Sequence, residues 1–314
     1  MSTCTTASRH LDEPLAGTAA SARTWLLVEQ PGPWGAKALT ASHLDPALGR
    51  ALEVAAADTG VRIALIRRPG RHADLGPPAE RQVYAAHTTP GNVWLHSATT
   101  SEPERLLDLD FTALGTGDPH TFDTALGGRS HTGDPLALVC TNGKRDRCCA
   151  LLGRPLAAEL AASGVAGAWE VTHLGGHRFS PTLLVLPYGY VYGRAEAHAV
   201  KEVLQGVREG RVVTEGCRGR SAWERPGQAA ELAVRTAARE YAADALSIVR
   251  TDGEAPRWEV TVAHSDGRVW RVSVTQGASL PPRPESCGST LGSPARMDVV
   301  AVRELIPAAL PLPC

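Results

Sequence analysis

The segment LGRALEVAAADTGV at residues 48–61 is echoed by LGRPLAAELAASGV at 152–165, identical at seven of the 14 positions. An internal echo of this length points to one supersecondary unit used twice, and that constrains the fold more than any other feature. The surroundings repeat as well. In the first copy, residues 24–29 (TWLLVE) read as a buried strand and the following QPGPWG as a loop. Apolar spacing predicts a helix over 48–58 stopped by Gly60, a strand over 61–66, and a hairpin from 82–86 and 93–96 around TTPGN. In the second copy the same order is expected: strand 135–140, helix 154–163, strand 169–171, hairpin 181–186 and 190–192, helix 195–205. Two alanine-rich helices can agree by composition alone, but the recurrence of the whole order favours duplication. A parallel strand-helix-strand unit followed by a hairpin makes a mixed sheet with helices on both faces, an α/β fold.

The expected division is residues 1–125 for a first unit, 131–210 for a second, and 211–314 for a linker with a small appendage. That appendage begins with a polar, glycine-bearing connection, continues as a long helix over 226–247, and ends in a hairpin from 258–262 and 269–274. Asp266-Gly267 marks its turn. The tail SLPPRPESCGSTLGSP reads as loop, with one strand at 298–302. With 43% hydrophobic and 21% charged residues the chain should fold as a globular protein. A net charge of −1 supplies no global field for nucleic acid or an anionic membrane. The start MSTCTTASRHLDEPLAG lacks the apolar core of a signal peptide, and no stretch approaches the roughly 18 apolar residues of a membrane span. A cytoplasmic location is the expectation.

Seven cysteines stand at 4, 140, 148, 149, 217, 287 and 314, an odd number without regular spacing in a chain too large to need disulfide staples. Three of them fall within ten residues, so metal or redox chemistry is sought there. Cys140 ends a predicted strand, and eight residues of polar loop lead to Cys149 at the next helix. His173 and His177 flank Leu-Gly-Gly, which favours a tight loop over a helix because each glycine costs about 1 kcal/mol in a helix interior. Adjacent parallel strands bring their carboxyl ends together, so two sulfurs and two imidazoles should converge. Such a set suits zinc or a 2Fe-2S cluster with two histidines on one iron, and the long arm between the first pair leans toward the larger object. Cys148 competes with Cys149, since neighbouring side chains point different ways. A thiol exposed for exchange and a small packed side chain are its other readings. Cys4, Cys217, Cys287 and Cys314 stand alone and have no assigned role.

CTNGKRDRCCALLGRPL, HLGGHRF and PTLLVLPYGYVYGR together resemble the sucrase/ferredoxin-like family, relatives of thioredoxin-like 2Fe-2S ferredoxins. VEQPGPWG and RGRSAWERPGQAAE are similar too, so the likeness covers most of the chain. It implies two thioredoxin-like units, the first without ligands, and a cis bond at Ser180-Pro181. It also implies that Cys140 and Cys149 are thiolate ligands of a 2Fe-2S cluster, with His173 and His177 in place of a second cysteine pair. The expected function is an electron carrier with a redox protein as partner, rather than an enzyme in its own right. Histidine ligation lowers the negative charge, so a potential well above the roughly −400 mV of plant-type ferredoxins and a pH-dependent couple are expected. Lys144, Arg145, Arg147 and Arg178 would favour the reduced form or dock an acidic partner. The rivals are a structural zinc protein with the same ligands, a thiol oxidoreductase using Cys148 and Cys149, and an enzyme with the cluster as relay. No dinucleotide or phosphate-loop motif is present.

Overall fold

The computed structural model describes residues 4–70, 76 and 78–305. A short helix α1 (Cys4–His10) precedes β1 (Thr24–Glu29), α2 (Pro46–Ala56), β2 (Val61–Arg67), β3 (Arg81–His87) and β4 (Trp94–Thr100). Two small helices, α3 (Phe111–Thr116) and α4 (His120–Leu126), and a two-residue strand β5 (Arg129–Ser130) complete the first half. β1 pairs parallel with β2 and antiparallel with β3, which pairs antiparallel with β4. The second half holds β6 (Leu136–Cys140), α5 (Arg154–Ala162), β7 (Ala168–Val171), β8 (Leu183–Leu186), β9 (Tyr190–Tyr192) and α6 (Ala197–Arg208). Its pairing repeats the first: β6 is parallel to β7 and antiparallel to β8, and β8 is antiparallel to β9.

β2 and β7 meet antiparallel, Ile66 opposite Val171 and Arg67 opposite Glu170, and so fuse both halves into one mixed sheet. With β10 (Cys217–Arg220) the order is β10-β9-β8-β6-β7-β2-β1-β3-β4-β5, ten strands in all. One face carries a single apolar layer across the junction, with Trp25, Leu27 and Tyr84 from the first half and Leu138, Trp169 and Leu184 from the second. The other face is divided. Leu48, Leu52, Phe111 and Phe122 from α2, α3 and α4 cover the first half, whereas Leu156, Leu160, Val200 and Leu204 from α5 and α6 cover the second. Because helices or loops cover both faces, central strands such as β6 are buried at every residue and read as continuous apolar runs.

The echoed words have a physical reason. A Cβ on Gly49 would lie 2.0 Å from the Leu39 carbonyl oxygen, and one on Gly153 would lie 2.2 Å from that of Cys140. Each helix presses its backbone onto the chain before it, and only glycine permits that distance. Gly60 and Gly164 adopt positive φ, at 86° and 80°, as each chain turns from helix toward strand.

The C-terminal region is larger than a helix and a hairpin. After α7 (Arg225–Ala238) come β11 (Leu246–Glu254), β12 (Arg257–His264), β13 (Val269–Ala278), a ribbon of β14 (Arg283–Pro284) and β15 (Leu291–Gly292), and β16 (Ala295–Leu305). β11-β12-β13-β16 form a separate four-stranded antiparallel sheet against α7. The helix expected over 226–247 stops at Ala238, where Arg239 turns left-handed with φ 52°, and Leu246 already belongs to a strand. The strand expected at 298–302 extends to Ala295–Leu305, because it pairs along most of β13. The polar connection is also corrected in part. Its CRGR stretch is β10, and Arg218 and Arg220 are fully buried there because their guanidinium groups donate to backbone carbonyls, Arg218 to Gly175 and Arg220 to Thr88 and Ala243.

Candidate functional site

Cys140 is the last residue of β6 and lies opposite Val171, the last residue of β7. His173 follows two residues later, so both chains leave the sheet at one edge. The loop back from Cys140 is shaped by its own polar groups: the Asn142 carbonyl accepts from Arg145 and Asp146 N–H, and the Asp146 carbonyl accepts from Cys149 N–H at 3.2 Å. Cys149 then opens a single π-helical turn, Cys149–Gly153, that runs into α5. The close approach of Gly153 to Cys140 draws that turn against the strand end.

The loop HLGGH is positioned from below. Gly175 and Gly176 both have positive φ, 82° and 67°, and a Cβ on Gly176 would stand 2.0 Å from Nη2 of Arg218. The buried Arg218 guanidinium donates to the carbonyls of Gly175 and Thr18, which fixes the turn. His173 then faces Cys140, and the His173 and His177 rings lie 5.2 Å apart. Nδ1 of each histidine is buried without a hydrogen-bond partner. The Ser180 hydroxyl donates to Cys149 Sγ at 3.7 Å, and the Ser180-Pro181 bond is cis, as expected.

Electrostatics favour one thiolate here. The Cys149 thiol beside it holds Cys140 well below the ordinary thiol range, with help from His173 and the Leu174 N–H against burial. Cys149 is pushed upward by the Cys140 thiolate and by burial. Burial also lowers His177, against the pull of Asp146, and so favours the neutral imidazole that binds metals. The four residues singled out in the sequence therefore come together: Cys140, Cys149, His173 and His177.

Cys148 points elsewhere, and the exposed-thiol reading is corrected because it is buried. Its Sγ lies 3.5 Å from that of Cys4 and 3.0 Å from that of Cys287, and the latter two are 3.6 Å apart. Cys4 and Cys287 therefore do not stand alone. With Asp146 they form a group whose donor atoms lie within 4.8 Å of one another, a geometry that can hold a metal ion. Hydrogen bonding from the Cys4 thiol, with Thr5 and Cys287, lowers the Cys148 pKa to about 5 against burial. No sequence spacing announces this group, because 144 and 283 residues separate Cys4 from its partners. The Cys148 sulfur thus faces Cys4 and Cys287, while that of Cys149 faces Ser180 and Cys140. Cys217 is buried on β10, and Cys314 lies outside the described residues.

Asp146 touches both groups. Its Oδ1 accepts from Cys148 N–H at 2.9 Å, and its Oδ2 accepts from Cys287 N–H at 2.9 Å and Ser286 Oγ at 3.0 Å. His177 Nε2 stands 3.5 Å from the same Oδ2. Burial opposes its charge, but the Cys287 N–H, His177 and the Cys148 N–H hold Asp146 below the usual carboxylate range. Lys144, Arg145 and Arg147 are exposed on the rim of the loop. Arg178 is not, and it leaves the expected docking surface: it is buried and paired with Glu13 at 2.9 Å and with Glu285 at 3.2 Å.

Two thiols and two imidazoles side by side at one edge of the sheet suit a borderline or soft metal centre. A family profile described as sucrase/ferredoxin-like matches residues 15–219, well over half of the chain. No curated protein and no solved structure is matched. Among the described residues, no helix is long and apolar enough to cross a membrane.

Proposed function

We propose that this chain, which belongs to the sucrase/ferredoxin-like family, is a one-electron carrier that holds one 2Fe-2S cluster through Cys140, Cys149, His173 and His177. The observation that carries this reading is the pair of buried, unpartnered Nδ1 atoms beside two buried thiols. Buried polar atoms almost always find partners, so two neighbouring orphans are donors suited to hold a metal centre. When bound, the cluster would supply a one-electron couple.

The chain's own residues set the character of that couple. Cys140 and Cys149 bring two negative charges, against four in an all-thiolate set, and this raises the potential. Leu174 and Phe179 are buried beside the loop and limit water. His177 would hold the cluster through its buried Nδ1, and its Nε2 stands 3.5 Å from the Asp146 carboxylate, an outer partner of the kind that orients metal-bound imidazoles. A proton held at that Nε2 would be released more readily from an oxidised centre, so the potential would fall as pH rises. Lys144, Arg145 and Arg147 suit docking of an acidic redox protein.

Anaerobically purified protein should be coloured and contain two irons and two sulfides per chain. Cys140→Ala and Cys149→Ala should lose both, whereas His173→Cys and His177→Cys should keep iron and lower the potential. A colourless, iron-free protein that also resists reconstitution with iron and sulfide would overturn the reading.

A further inference from the structure

We propose that Cys4, Cys148 and Cys287, completed by Asp146, form a second metal centre that takes one zinc ion. Three sulfurs from three remote parts of the chain meet pairwise at 3.0–3.6 Å: the first helix, the loop between Cys140 and Cys149, and the segment after β14. Cys4 and Cys148 are each only 1% exposed, and Asp146 is 3% exposed. A disulfide would use two of the thiols and leave a third buried beside it, whereas one metal ion uses all three.

The geometry fits zinc with modest movement. Tetrahedral Zn–S bonds of about 2.3 Å place sulfurs roughly 3.8 Å apart, so the two sides at Cys4 need to open by a few tenths of an ångström and the 3.0 Å Cys148–Cys287 side by about 0.8 Å. The fourth donor selects among thiophilic metals. Copper(I) is satisfied by sulfur alone, but a carboxylate oxygen held within the same 4.8 Å suits zinc. Asp146 is oriented for that role by two backbone N–H groups and a serine hydroxyl. None of the four is a proposed cluster ligand, although Asp146 also stands 3.5 Å from His177 Nε2, so the three sulfurs carry this inference without the iron. Zinc there would fasten α1 and the C-terminal segment onto the cysteine loop.

The test uses the full chain, purified anaerobically and incubated with zinc chloride, followed by elemental analysis and X-ray absorption at the zinc edge. One zinc per chain with three sulfur neighbours is expected. Cys4→Ser and Cys287→Ser should each weaken zinc binding roughly tenfold or more, while iron content and visible absorbance stay unchanged and report an intact fold. Absence of zinc from the parent protein, retention at full affinity in both variants, or a shell of two sulfurs and two nitrogens would overturn the proposal. So would a Cys148-Cys287 disulfide found by anaerobic alkylation. A protein that lacks iron yet loses zinc in both variants supports the zinc centre and ends only the electron-carrier reading.

Discussion

His87 shows how a single buried residue sets a pH response. Its Nδ1 lies 2.7 Å from Thr24 Oγ1, whose own proton goes to the Leu114 carbonyl at 2.9 Å. The hydroxyl can therefore only accept from His87, and the neutral ring carries its proton on Nδ1. Burial, reinforced by Arg23 and Arg220, lowers its pKa to about 4. A histidine with a depressed folded pKa stabilises the fold above its unfolded value and loses that contribution as pH falls toward the folded one. Stability should thus decline between about pH 6.5 and pH 4, by up to about 3 kcal/mol for this group. Denaturant titrations at several pH values check it, and His87→Gln should flatten the slope across that window. Residue-scale legibility in the sequence was uneven. The HLGGH and CC words were readable because their residue types and spacing are distinctive in themselves, whatever they touch. Cys4 and Cys287 were not, since nothing local distinguishes a clustered cysteine from a solitary one.

Elements were readable where a helix or strand is decided by its own pattern. α2 and α5 follow from apolar spacing, and their glycines mark where each helix touches backbone. Gly153→Ala would place a Cβ about 2.2 Å from the Cys140 carbonyl oxygen. The helix must then retreat and carry Cys149 away from Cys140. The expected result is a loss of bound iron together with a stability loss of at least about 1 kcal/mol, read by iron analysis and thermal unfolding. Gly164→Ala is a useful contrast, because nothing lies within 4 Å of its Cβ and only the positive φ is strained; iron should be retained. β10 escaped the sequence reading for a different reason. Its CRGR pattern looks solvated, and only backbone carbonyls supplied by distant loops make two buried arginines tolerable.

At the scale of the molecule, the contact between β2 and β7 makes one sheet of two halves. Arg67 and Glu170 face each other across it at 2.7 Å, both nearly fully buried. Thr141, next to Cys140, donates to the same carboxylate oxygen at 2.8 Å. Arg67 also donates to the Gly32 carbonyl and lies 4.0 Å over the Trp34 ring. Removing one member of a buried pair strands the other charge, so Arg67→Ala should cost about 3–5 kcal/mol. Calorimetry should show the drop as a single transition of both halves, because one apolar layer runs through the junction. Separate melting of residues 24–130 and 136–220 would count against that coupling.

The repeated strand and helix order, the α/β class, and the meeting of Cys140, one of two adjacent cysteines, His173 and His177 at the sheet edge were legible in the sequence, because each depends on local periodicity, turn chemistry and parallel pairing. Only the tertiary structure decided how the halves join, which of two adjacent cysteines turns toward Cys140, and that three remote thiols meet around Asp146. The join between the halves and the thiol cluster that claims Cys148 depend on contacts between segments more than a hundred residues apart, and no local pattern in the chain encodes them.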